Sequence, residues 1–182
     1  MSEILVGVGA SAACFKAVAL CSQLAKEGHG VQAVLTRNAT KLVQPLQFSC
    51  VTGRRALTDE WEPLDPAGMD HIALARRADL LLICPATAHL LGALAHGLAE
   101  DLLGSLALAI EARKPRLIAP AMNPEMWANP LVQRNAGLLR EAGWIILGPA
   151  AGPTACGENG AGRMLEPEAI AAAVRAALAG PR

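Results

Sequence analysis

Five short apolar runs, 4-ILVGV-8, 31-VQAVL-35, 79-DLLLIC-84, 115-PRLIA-119 and 144-WIIL-147, set the strongest limit on how this chain folds. Their apolar residues are mostly consecutive rather than alternating. A strand with one wet face alternates, whereas a strand covered on both faces does not. Stretches of helical period separate the runs. Residues 11–27 carry Ala13, Ala17, Leu20 and Leu24 at helical spacing, and Gly28 stops them. Residues 70–78, 87–99, 101–112, 130–142 and 167–179 have the same character. Strands alternating with helices predict an α/β fold: a three-layer, doubly wound parallel sheet of the Rossmann or flavodoxin-like kind, with helices on both faces. No repeat or second domain is visible, so residues 1–182 are expected to form a single domain.

The core must be built from small side chains, because aromatic residues make up 3% of the chain and tyrosine is absent. Formal net charge is zero, which argues against a nucleic-acid protein, since such a protein needs a basic surface for phosphates. No apolar run is long enough to span a membrane, and MSEILVGVG lacks a basic leader region, so a cytoplasmic location is expected. Five cysteines without a CxxC pair do not suggest a disulfide framework. Cys14, Cys21, Cys50 and Cys84 read as small buried hydrophobes.

The unusual residues cluster where each run ends. Gly9-Ala10-Ser11 follows the first, Thr36-Arg37-Asn38 the second and Pro85-Ala86-Thr87-Ala88 the third. Pro120-Ala121-Met122-Asn123 follows the fourth and Gly148-Pro149 the fifth. Ligands of open parallel sheets bind outside the carboxyl ends of the strands, so every one of these loops lies on the binding edge.

The first loop, 7-GVGASA-12, matches GxGxxA, a pattern that lets backbone and a helix N-terminus approach a phosphate. A plain NAD site also needs an acidic residue at the end of the second strand, where this chain has 35-LTRN-38. NADP through Arg37, a mononucleotide such as FMN held by Ser11, Thr36 and Thr87, and ordinary tight turns all stay open at this point.

His89 and His96 are roughly 10 Å apart along one predicted helix, too far to share a metal, and none is expected. His29 reads as solvated. His71 follows Asp70, a good N-cap, so the helix dipole disfavours its imidazolium and leaves a neutral base. Cys156 sits in 152-GPTACGENGAGRM-164, an aperiodic loop rich in glycine, which reads as a lid carrying a thiol or as an incidental cysteine.

Three motifs then carry a resemblance: 71-HIALARRADLLLICPATA-88, 120-PAMNPEMW-127 and 155-ACGENGAGRM-164. The chain resembles the flavin-dependent cysteine decarboxylases, in particular the branch that acts on phosphopantothenoylcysteine in coenzyme A biosynthesis. Weaker matches are 9-GAS-11 and 43-VQPLQFSCVTG-53. The resemblance implies non-covalent FMN, held by Gly9, Ala10, Ser11, Thr36, Phe48, Pro85, Ala86, Thr87, Ala88 and Met122. It implies His71, Asn123 and Cys156 as catalytic residues. Substrate contacts would come from Asn123, Met126, Ala155 and Gly157, while Arg76, five residues beyond His71 on the same predicted helix, reads as an anion contact or as a solvated arginine. It further implies a homotrimer or homododecamer with the site between subunits.

The implied reaction oxidises the cysteinyl thiol end to a thioaldehyde at the expense of FMN. The thioaldehyde acts as an electron sink, so the carboxylate leaves as carbon dioxide and an ene-thiolate remains. A hydride then returns to carbon, with Cys156 supplying the proton. Two departures from the family pattern stand out. His89 replaces the asparagine usual after 85-PATA-88, and no fused synthetase domain is visible, so a separate ligase is implied. Prenyl-flavin synthases, peptidyl-cysteine decarboxylases and non-catalytic regulatory flavoproteins are the competing readings. In 119-APAMNPEMWANP-130 the prolines read as fixed turns that hold Asn123, with Met122, Met126 and Trp127 as apolar walls.

Overall fold

The computed structural model describes residues 1–64, 68–153 and 157–180. Five parallel strands form the central sheet: β1 (Glu3–Val8), β2 (Gly30–Leu35), β3 (Leu80–Ala86), β4 (Arg116–Pro120) and β5 (Ile145–Ile146). Their order is β2-β1-β3-β4-β5. This is a flavodoxin-like, doubly wound sheet.

The layers explain why the runs are continuously apolar. Along each strand, successive side chains enter opposite cores. Ile4, Val6 and Val8 join one core with Leu80, Leu82 and Cys84, while Leu5, Leu81 and Ile83 join the other. The first core is covered by α1 (Cys14–Lys26), α2 (Pro45–Thr52) and α8 (Pro167–Ala179). The second is covered by α3 (Asp70–Arg77), α4 (Ala88–Ala95), α5 (Leu102–Ala109) and α7 (Pro130–Glu141). Among the described residues, no helix is long and apolar enough to cross a membrane.

Three elements were not expected from periodicity: α2, the short helix α6 (Pro124–Ala128), and an antiparallel hairpin of β6 (Ala150–Pro153) and β7 (Asn159–Arg163). Helix α1 begins at Cys14 rather than residue 11, because residues 9–13 form a turn in which Cys14 N–H donates to Ser11 O at 3.0 Å. Asp70 is not the cap of α3 but its first residue. It is buried, and its Oδ2 accepts from Leu64 N–H at 2.7 Å. Two side-chain expectations also change: Cys50 is exposed, and His29 is half-buried with a buried Nδ1.

Candidate active site

The sheet order reverses between β1 and β3, and the loops that follow these strands diverge there to leave a crevice. Gly9 stitches its floor, donating its amide to Pro85 O at 2.9 Å. A Cβ at Gly9 would lie 2.5 Å from Leu90 Cδ1 and 2.7 Å from the Pro85 carbonyl, so only glycine permits this approach. Ser11 folds back: its Oγ accepts from Ala13 N–H at 3.4 Å. Helix α1 then starts with no side-chain cap on its N-terminal amides, whereas Thr87 caps α4 by accepting from Leu90 N–H at 3.2 Å.

A cavity of about 460 Å³ opens above this floor. Ala10 and Ser11 form one wall, Thr87 and Ala88 a second. Ala121, Met122, Asn123 and Met126 form the third. The volume lies within the range of cofactor and small-molecule sites. Lys16 and Arg163 stand on its rim, and both face Glu166: Lys16 Nζ donates at 2.9 Å and Arg163 Nη2 lies at 3.6 Å. The Lys16 ammonium, through that hydrogen bond, holds the Glu166 carboxyl below the ordinary carboxylate range.

Asn123 has two jobs. As N-cap of α6 its Oδ1 accepts from Glu125 N–H at 2.8 Å and Met126 N–H at 3.4 Å. Its Nδ2 donates to Glu158 Oε2. The helix start is therefore real, and it is also the device that orients the amide at the cavity wall. Strand β7 presses on the same loop: Met122 N–H donates to Gly162 O at 3.0 Å, and a Cβ at Gly162 would strike the Met122 carbonyl.

The structure gathers Ala10, Ser11, Thr87, Ala88, Met122, Asn123 and Met126 around one cavity, with Gly9 beneath. It does not bring the remaining described candidates to its lining. Pro85 and Ala86 are buried in β3 under the cavity floor. Phe48 is fully buried in the first core, and Thr36 turns its Oγ1 to Ala39 N–H at 3.3 Å. His71 is half-buried on α3, Arg76 is exposed further along it, and Trp127 packs on the second core. His89 is exposed on α4. Gly157 is exposed with a φ of +80°, while Ala155 and Cys156 lie outside the described residues. Sequence reasoning missed Lys16, Arg163 and Glu158 as site residues, although the last two stand within the quoted 155-ACGENGAGRM-164 motif.

The flavoprotein family profile matches residues 1–179. The chain belongs to the flavoprotein family. It is 37% identical over 168 residues to a probable phosphopantothenoylcysteine decarboxylase of Streptococcus mutans, covering 92% of this chain and 94% of that protein. It is 42% identical over 170 residues to the coenzyme A biosynthesis bifunctional protein CoaBC of Vibrio vulnificus. There the match covers 93% of this chain but 42% of the relative, so the chain spans less than half of that bifunctional protein.

Among solved structures it superposes on a cysteine-to-serine mutant of PPC decarboxylase complexed with pantothenoylaminoethenethiol. The TM-score is 0.87 at 33% identity, over 96% of this chain and 97% of that one. It also superposes on the FMN-dependent cysteine decarboxylase SpaF, with a TM-score of 0.82 at 32% identity, over 98% and 95% of the two chains. A flavin cofactor follows from this membership, and the cavity suits one. The uncapped α1 terminus and Ser11 can take a phosphate, and Ala10, Ala88, Ala121 and Met122 supply apolar wall for a ring system.

Proposed function

We propose that the chain is an FMN-dependent decarboxylase that converts 4′-phospho-N-pantothenoyl-L-cysteine to 4′-phosphopantetheine in the cytoplasm. The observation that carries the reading is Asn123, held by its own helix cap on the wall of a cofactor-sized cavity in an unbroken 120-PAMNPEMW-127 loop. FMN, when bound, supplies a reversible two-electron sink, without which loss of carbon dioxide would leave an unstabilised carbanion. Asn123 offers an amide that can hold a carboxylate without adding charge. Met122 and Met126 give polarizable walls that keep water from the reacting carbon. Cys156 is assigned the final proton donation.

His71 is assigned the base, reaching the cavity across a subunit boundary in a homotrimer or an assembly of trimers. This assignment is supported by the position of His71 outside the lining of the cavity within one chain, together with the exposed apolar residues Trp61, Leu64 and Met69 that precede it.

One assay decides the reading: mass spectrometry of phosphopantothenoylcysteine incubated with the purified protein. Phosphopantetheine and carbon dioxide are expected. Unchanged substrate with a fully folded yellow protein removes the reading. Mixing inactive His71→Asn and Asn123→Asp chains tests the shared site. Restored activity at about a quarter of sites is expected from random mixing, and none if each site is built from one chain.

A further inference from the structure

Arg163 closes β7 at the cavity rim, yet its Nε is buried and makes no hydrogen bond among the described residues. An arginine donor shielded from water and left without an acceptor is costly, and the cost falls when an anion arrives. Its Nη2 is 3.6 Å from Glu166 Oε1, beyond hydrogen-bond length, and that same oxygen already accepts from Lys16 at 2.9 Å. Two cations therefore share one carboxylate, leaving a net positive charge on the rim. The guanidinium fork suits a phosphate better than a single carboxylate oxygen.

We infer that Arg163 and Lys16 form a phosphomonoester subsite at the cavity rim, with Glu166 as the internal anion that both face until ligand binds. This deepens the proposed function and rests on it for the ligands. Two groups carry the required chemistry: the phosphate of the flavin and that of the pantothenoyl substrate. Both would present a dianion that Arg163 can meet with its guanidinium while Lys16 adds a point charge.

The test has two binding arms, neither of which reads turnover. In the first, the chain is titrated with FMN and with riboflavin. In the second, FMN-loaded protein is titrated with 4′-phosphopantothenate and with pantothenate. In at least one arm the unaltered chain should prefer the phosphorylated ligand by about 30-fold or more, the scale of charged hydrogen bonds. Arg163→Met should cut that preference to about threefold or less, Arg163→Lys should keep part of it, and Lys16→Met should reduce it less steeply. Glu166→Gln should strengthen it.

The arm that responds identifies the source of the phosphate. If Arg163→Met and Lys16→Met leave both preferences intact, or weaken phosphorylated and unphosphorylated ligands alike, the subsite is wrong. Failure of the underlying reading looks different: phosphate preference with no turnover of phosphopantothenoylcysteine removes the decarboxylase and keeps the subsite. Turnover without phosphate preference does the reverse.

Discussion

Asn123 Nδ2 donates to Glu158 Oε2, so the amide proposed to meet a substrate carboxylate already holds a carboxylate of its own chain. Asn123 Oδ1 meanwhile is committed to the amides of α6. What Asn123 has left to offer a ligand is therefore the second N–H of its NH2 group, beside the Glu158 carboxylate.

Asn123→Asp should separate the two roles. Aspartate caps a helix as well as asparagine does, so thermal stability should change by less than about 1 kcal/mol. It cannot donate, and it places like charge against Glu158 and the substrate. A fall in kcat/KM of about 100-fold or more is expected. Asn123→Ala should lose both, adding about 0.5–2 kcal/mol of destabilisation from the missing cap. Steady-state kinetics and thermal denaturation on the same samples check this.

Gly9→Ala should disturb the cavity floor. The new methyl would meet a backbone carbonyl as well as Leu90, so the end of β1 must shift away from β3. Destabilisation of about 1–3 kcal/mol is expected, with weaker flavin retention, measured by urea unfolding and by the flavin-to-protein absorbance ratio. Unchanged stability would show that the two strand ends are not held together there.

The thiols should divide by position. Cys21 is fully buried and its thiol is pushed up to about 12, while burial also raises Cys14 and Cys84. Cys50 is exposed on α2. In a Cys156→Ser background, a thiol reagent at pH 8 should label Cys50 rapidly and the other three only on unfolding. Peptide mapping of the labelled protein reads the result directly.

Stability should fall in acid partly through Glu3. Arg54 donates to it twice, at 2.6 Å and 2.9 Å, and these bonds hold its carboxyl below the ordinary value. A lowered folded value means the contribution is present above the unfolded value and is lost as pH falls through the folded one. The pair is partly solvated, so about 0.5–1 kcal/mol is expected. Denaturant midpoints of the unaltered chain and Glu3→Gln should therefore differ near neutral pH and converge well below pH 4.

The strands were legible because burial on both faces leaves an uninterrupted mark: Leu80 to Cys84 send alternate side chains into different cores, yet all must be apolar. The β6–β7 hairpin left no such mark. Residues Asn159 to Arg163 pair through backbone, and Gly160 and Gly162 are small because Pro124 and the Met122 carbonyl lie against them, not because a turn requires it. The 9-GAS-11, 85-PATA-88 and 120-PAMN-123 loops were legible as a cavity because sheet topology alone carries strand ends to one edge. The placing of Lys16 and Arg163 at one carboxylate was not, since Glu166, three residues beyond Arg163, is far from Lys16 in sequence and meets it only when α8 packs against α1.

The seating of Gly162 against Met122 and of Gly160 against Pro124 has a mechanical meaning. The chain leaving Glu158 and the loop bearing Asn123 form one solid joint with no room for slippage between them. Changes of sequence in either partner are then inherited by the other, and the recognition loop and the segment that follows Cys156 must drift together over evolutionary time or not at all.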